Sequence, residues 1–563
     1  MTPPSGSADV AIVGLGAGGS IAAHVLAEAG LSVVAVEAGP RRGRHEMTLD
    51  EIRNEVDHWL CAPKSAGEVP TFRPDARTPT VPCPHPTLMV NAVGGSAIHY
   101  PGTSPRFLPW NFRPRTRTLE RYGEAAIPAG STLADWPLDY EALEPYYDRV
   151  EHAIGICGAA SANPFEGPRS SGYPMPPLRR SGLTELMSGA AGRLGWHPYP
   201  APTAINSEPF DGRPACTYCG FCENNGCHNG AKGSPDNNLV PLAEASGNLR
   251  VVTSARVTRV EVDARGRATG VAYVVDGREH FQRAAVVILA AHTYENVRLL
   301  LLSTSPKHPA GLANRHGQVG LGFMTHINPE VYGLFPGVDL KVATGSWGQG
   351  VCIDDFNGDN FDHTGPGFIS GGMFTAAHEL LKPIAVSRTL PPGVARWGPE
   401  WKRWIAANAR SIAMTLAQLD VLPYEGNALD LDPVARDAHG LPRIRVTFRV
   451  HRREARARAF LAGKLGEWLM EAGASKTWEA PGDALEMRTA YGGTPMGDDP
   501  ASSVVDGFGL AHEVPNLAVI GCSIFPTAGG HNPTLTLQAL AWRTAEHVVS
   551  NWTQLHQRRA SRR

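Results

Sequence analysis

No run of about eighteen apolar residues occurs in this 563-residue chain, so no membrane-spanning helix is expected. Basic blocks are also missing, apart from Gln557 to Arg563. With a net charge of −2, no extended basic surface is expected, and nucleic-acid binding is disfavoured. The basic tail reads as a frayed end. The first residues lack the basic-then-apolar pattern of a secretory leader, which makes the cytoplasm the expected compartment. Nine cysteines, an odd number with four clustered, do not make a secreted disulfide framework. Internal repeats and low-complexity blocks are absent too. The length suits two or more structural regions.

What is present is concentrated at the two ends. Val10 to Val13 is a short β-branched run of the kind buried in parallel sheets. Gly14, Gly16 and Gly19 follow at G-x-G-x-x-G spacing. Ser20 to Ala29 is alanine-rich and helical, Gly30 stops it, and Leu31 to Val36 is a second strand leading to Glu37. In such a β-turn-α-β unit the first glycine allows the turn and the second admits a pyrophosphate to bare backbone. The third lets helix and strand pack, and the acid binds a ribose hydroxyl. The free N–H groups of the helix start complete a phosphate site.

The far end, Val519 to Val548, contains Ala528-Gly-Gly-His-Asn-Pro-Thr534 and a helical run from Thr534 to Ala541. Together the two ends resemble the glucose–methanol–choline (GMC) family of FAD-dependent oxidoreductases, most of all its gluconate dehydrogenase flavoprotein and pyranose 2-oxidase branches. The resemblance implies an α/β chain with a Rossmann-like FAD-binding domain and a mixed-sheet α+β substrate domain. Residues 1–110, with a lid excursion at 40–90, would be the first part of the FAD-binding domain. Residues 111–237 would be a substrate-domain segment and 238–327 the second FAD-binding part. Residues 328–490 would be the substrate domain, 491–550 the cofactor-binding and catalytic end, and 551–563 a tail.

The resemblance also assigns roles. Gly94 and Gly95 would lie against the flavin, and backbone near Val257 would meet the adenine. His99 aligns with a histidine that the pyranose 2-oxidase branch joins covalently to the flavin, and a hydrogen-bonded histidine beside the cofactor is the alternative. Asn532 would hold the substrate oxygen, and the helix from Thr534 would aim its positive end at the flavin carbonyl region. Hydride would pass from a carbinol carbon to flavin N5 while a base takes the hydroxyl proton.

One position departs from the pattern. Where gluconate-type relatives read His-x-x-Gly-Gly-x-x-Met-Gly, this chain reads Thr489-Ala-Tyr-Gly-Gly-Thr-Pro-Met-Gly497, and threonine cannot serve as a base near neutrality. His531, Tyr491 and His326 are the substitutes, in that order. Cys216, Cys219, Cys222 and Cys227 form C-x2-C-x2-C-x4-C, dense enough for an iron–sulfur cluster, with zinc or a structural role as alternatives. The four aspartates between Val351 and His363 lack EF-hand spacing.

The expected function is oxidation of a hydroxyl on a sugar, sugar acid, glycoside or aminoglycoside, with electrons passing to oxygen or a redox partner. Atypical flavin chemistry, prompted by Thr489, and a non-catalytic electron-transfer subunit are the other readings.

Overall fold

The computed structural model describes residues 6–84, 87–378, 382, 384–482 and 485–556; the basic tail lies outside them. Its first sheet is built on β1 (Ser7–Val13), which pairs in parallel with β2 (Val33–Val36) and with the end of the long strand Arg278–Leu289. Strand Leu249–Val252 extends the sheet beyond β2, and Leu517–Val519 lies on the far side of Arg278–Leu289. Buried on both faces, these strands are runs of valine, isoleucine and leucine. The next strands divide between two arrangements. Leu249–Val252 joins the parallel sheet, whereas Arg256–Val262 and Ala268–Val275 form antiparallel ribbons with the start of Arg278–Leu289.

The crossover helix α1 (Ala17–Glu28) starts three residues earlier than the alanine-rich run. Two glycines around it are sterically required. Gly14 has φ of +88°, and a Cβ there would lie 2.7 Å from the Ala290 carbonyl oxygen. A Cβ on Gly19 would lie 2.1 Å from the Gly14 carbonyl oxygen, so the helix could not approach the turn. Gly19→Ala is therefore expected to abolish cofactor retention, checked as the flavin-to-protein absorbance ratio after gel filtration; a fully yellow variant would contradict this.

The second sheet runs Lys476–Glu479, Glu330–Leu334, Ile412–Leu419, Gly372–Ala376, Val351–Ile353 and Tyr199–Pro200, with Met324–Ile327 and Leu485–Tyr491 joined at one end. Ile412–Leu419 is its central, fully buried strand. Helix Arg452–Glu471 seals one face with Leu461, Leu465, Trp468 and Leu469. The opposite face turns towards the first sheet.

The excursion after Glu37 is more ordered than its composition suggests. It carries a short helix, Ala62–Gly67, and strand Thr71–Arg73, which pairs in parallel with Pro442–Thr447 in a four-stranded sheet. Thr71 Oγ1 donates to Asp432 at 2.7 Å. Asp139 caps helix Tyr140–Ile154 as its sequence position implies, accepting the Ala142 N–H at 2.9 Å. Among the described residues no helix is long and apolar enough to cross a membrane.

Candidate active site

Between the two sheets lies a cavity of about 330 Å³ that reaches from the glycine turn to the inner face of the second sheet. At the nucleotide end, Gly16 faces open space, its nearest neighbour for an added Cβ being Gly95 Cα at 3.9 Å. Gly94 and Gly95, with φ of +105° and +54°, pack against this turn, and a Cβ on Gly95 would lie 3.0 Å from Gly16 Cα. The pair thus sets how closely two backbone turns approach around one ligand. Gly95 lines the cavity.

Glu37 is buried with both carboxylate oxygens engaged by backbone, accepting from Leu15 N at 2.9 Å and Gly39 N at 2.8 Å. Burial raises its carboxyl above the usual range, against the pull of these two N–H groups. It braces the glycine turn and still has lone pairs to offer a ribose hydroxyl. Val257 lines the same end. So does a buried ion network that sequence inspection missed. Lys64 donates to Glu68 at 2.9 Å and Asn91 at 3.2 Å, and Glu295 lies 3.9 Å away. Arg256 pairs with Glu68 and, at 3.6 Å, with Glu295. Burial pushes the Lys64 ammonium down to about 8, with Glu295 opposing it. These residues are scattered over positions 64–295, and no local pattern marks them as neighbours.

At the other end the cavity is bounded by His99, Thr103, Trp347, Gln418, Thr489, Asn532 and Thr534. The imidazole of His99 is buried, with Nε2 4.0 Å from the Cys61 sulfur. Burial, reinforced by Arg488 and Lys232, pushes its pKa down to about 3, so the ring is neutral. Thr534 opens helix Thr534–Ser550, whose start meets the cavity beside α1. Asn532 presents a carboxamide oxygen that is buried and without a hydrogen-bond partner among the described residues. Asn328 Oδ1, Gln418 Oε1, Thr103 Oγ1 and His292 Nδ1 share that condition, and all five residues line this cavity. Unsatisfied buried polar atoms that face one space mark a ligand-binding wall.

The three substitutes for the missing histidine are placed differently. His326 lines the cavity, its Nε2 2.8 Å from the Tyr491 hydroxyl and 3.2 Å from the Gly529 carbonyl oxygen. Tyr491 is fully buried behind it. His531 does not reach the cavity: its Nε2 lies 2.8 Å from Asp354 Oδ1, on the far side of the turn that presents Asn532. Asp354 also accepts from Tyr199 at 2.6 Å, Asn163 at 2.7 Å and Asn357 at 2.8 Å. The other aspartates of that segment disperse, Asp355 to His197, Asp359 to Arg121 and Asp362 to Thr364.

The four loop cysteines have separate partners. Cys222 Sγ lies 3.6 Å from Ser346 Oγ, Cys227 Sγ 3.0 Å from Asn229 Oδ1, and Cys216 Sγ accepts the Tyr218 N–H at 3.3 Å. Cys219 forms a backbone bridge with Gly345. Among the described residues, no three His, Cys, Asp or Glu side chains converge as a metal site, so the iron–sulfur and zinc expectations find no ligand set. Instead, the buried ammonium of Lys232 donates to the carbonyls of Cys222, Asn225 and Tyr100 at 2.8, 2.7 and 2.8 Å. A lysine organises the turn where dense thiols suggested a metal.

A nucleotide-binding βαβ unit, a second helix start at the same cavity and a mixed sheet closing it define a two-domain oxidoreductase of the dinucleotide-binding class. Residues 423–541 match the model of the GMC oxidoreductase family. The chain is 33% identical to the gluconate 2-dehydrogenase flavoprotein of Pantoea cypripedii, across 96% of this chain and 93% of that one. It is 30% identical to the paromamine 6'-oxidase of Streptomyces fradiae, across 97% and 92%. The fold is shared with the formate oxidase of Aspergillus oryzae RIB40, at a TM-score of 0.63 and 15% identity, covering 98% of this chain and 100% of that one. The chain belongs to the GMC oxidoreductase family, whose members bind FAD and oxidise alcohols as dehydrogenases or oxidases. The open glycine turn, two convergent helix starts and the unsatisfied polar wall fit that cofactor.

Proposed function

We propose that this protein oxidises a hydroxyl group on a sugar or sugar-like molecule, with FAD as the hydride acceptor and oxygen or a redox partner as the final acceptor of electrons. The observation that carries this reading is the wall itself. Trp347 supplies an aromatic face, and Asn328, Gln418 and Asn532 supply unsatisfied carbonyl oxygens, a combination suited to a ring with many hydroxyl donors. When bound, FAD supplies the hydride acceptor. Asn532 holds the reacting oxygen, and Thr489 lines the same cavity. The helix beginning at Thr534 favours negative charge at its start.

His326 takes the hydroxyl proton in this account. With its Nε2–H donated to Gly529, the other ring nitrogen keeps a lone pair, and Tyr491 fixes the ring from behind. Burial pushes its pKa down to about 4. The base form therefore persists far below the ordinary histidine range, and the rate should fall only as pH drops through about 4. An acid limb near the ordinary histidine value of 6.5 would contradict this. His326→Gln should slow cofactor reduction by substrate roughly a hundredfold.

His99, neutral and at the cavity wall, is the side chain proposed to carry a covalent link to the cofactor. Acid precipitation reads this directly: yellow colour in the pellet supports the link, and colour wholly in the supernatant rejects it. The activity itself is tested by incubating the holoenzyme with sugars, sugar acids and glycosides plus a dye acceptor, followed by NMR of the products. New carbonyl carbons support the reading; turnover confined to non-alcohols, or none, rejects it.

A further inference from the structure

After the long strand Arg278–Leu289 the chain passes the glycine turn and enters helix Thr293–Leu302 through His292. The His292 backbone stands at φ +74° and ψ +158°, a conformation essentially confined to glycine. The flanking bonds hold it there. Ala290 N donates to the Val13 carbonyl at 2.8 Å, and Ala291 N to Asn296 Oδ1 at 2.9 Å. Asn296 N donates to the His292 carbonyl at 2.8 Å, and Thr293 Oγ1 to the Ala490 carbonyl at 2.6 Å. Glycine would satisfy these demands without strain, so the imidazole has to contribute something that offsets it.

That imidazole is committed at one nitrogen. Nε2 donates to the Arg488 carbonyl at 3.4 Å, which leaves the lone pair on Nδ1. Nδ1 is buried and has no partner among the described residues. Burial, reinforced by the Lys64 ammonium, pushes the pKa down to about 4, so the ring is neutral and Nδ1 is an acceptor. The neighbouring Tyr294 ring, 5.3 Å away between centroids, gives its hydroxyl to the Met487 carbonyl instead.

His292 lines the cavity at its nucleotide end. A Cβ on Gly14 would lie 3.0 Å from Ala291 Cα, so the residue before His292 packs directly on the glycine turn. One and two turns into the helix, Glu295 and Leu299 line the same cavity as Arg256 and Val257. Phosphate oxygens carry lone pairs of their own and cannot serve Nδ1. The donors that an adenine dinucleotide brings to this wall are the ribose hydroxyls and the exocyclic amine of its adenosine half.

We infer that Nδ1 of His292 accepts a hydrogen bond from a donor on the adenosine half of FAD, which makes His292 a cofactor-binding residue and its strained backbone the cost of that contact. The contact is independent of which alcohol is oxidised.

The test uses the full chain stripped of cofactor, with FAD, ADP and FMN as separate probes whose binding is followed by fluorescence. If acid precipitation reveals a covalent link, every chain in the series also carries His99→Ala. His292→Ala should weaken FAD and ADP binding about tenfold each and leave FMN binding unchanged. His292→Gly should show the same loss although it relieves the strain, its unfolding midpoint without cofactor lying above that of His292→Ala. His292→Asn tolerates positive φ and offers Oδ1 as an acceptor, so it should keep most of the affinity. If the Ala variant does not fold, the Gly and Asn variants decide, and equal affinities for ADP overturn the inference. An Ala variant that binds ADP like the wild type, or a Gly variant that regains affinity along with stability, also overturns it. Weakened FMN binding with ADP binding intact would overturn the assignment to the adenosine half.

Discussion

Replacing Asn532 by alanine should slow reduction of the bound cofactor by substrate about 10²- to 10³-fold, the range found when one preorganised hydrogen-bond donor facing developing negative charge is removed, the donor here being the carboxamide NH2. The carboxamide oxygen of Asn532 is buried on the cavity wall and has no partner among the described residues. Its position is fixed by its surroundings: Pro533 follows, helix Thr534–Ser550 begins immediately after, and Gly530 is tied to Met373 at 3.0 Å. A group held in this way is reserved for a ligand. Because the truncation deletes no internal bond from that oxygen, thermal stability should change little, within about 0.5 kcal/mol. The two readouts should therefore separate. Stopped-flow reduction collapses while the unfolding midpoint stays; a variant reduced at the wild-type rate would remove Asn532 from the reaction.

The largest effect on stability should come from Asp354→Ala. This carboxylate is fully buried and receives His531, Tyr199, Asn163 and Asn357. Removing it strands four polar groups in the interior, at a cost of about 3–5 kcal/mol. Burial alone would raise the Asp354 carboxyl. His531, followed by the hydrogen bonds, outweighs burial and holds it below the usual carboxylate range. A carboxyl with a folded pKa below its unfolded value stabilises the fold at neutral pH, and this contribution is lost as pH falls through the folded pKa. The wild-type protein should thus lose stability below about pH 4 more steeply than Asp354→Asn, compared by denaturant unfolding across pH. Parallel curves would contradict the assignment. His531→Ala should damage catalysis only through the turn it braces, so its loss should be smaller than that of Asn532→Ala.

The parts legible in the sequence are those whose chemistry is local. Gly14, Gly19 and Glu37 sit within one βαβ unit, and their spacing encodes a turn, a helix approach and a carboxylate that reaches back to Leu15. The helix at Thr534 follows from Asn532-Pro533, which ends one segment and starts another. What stayed hidden depends on distant pairings. Asp354 meets His531 across 177 positions, so the pair gave no sign of itself, and His531 read as a base because only its neighbour Asn532 was visible. Asn328 and Gln418 share a wall only because two strands that are far apart in the chain pair. The cysteine loop was legible only as composition. Thiol density is a compositional signal, and composition does not reveal that Lys232 ties together the carbonyls of Cys222, Asn225 and Tyr100.

Anaerobic mixing of the FAD-loaded protein with a panel of sugars, sugar acids, amino glycosides and simple aldehydes tests the central claim most directly. The account predicts that the oxidised flavin band disappears with at least one carbohydrate alcohol, at a rate that Asn532→Ala and His326→Gln both reduce. A flavin that stays oxidised with every alcohol and is bleached only by other compounds would contradict it.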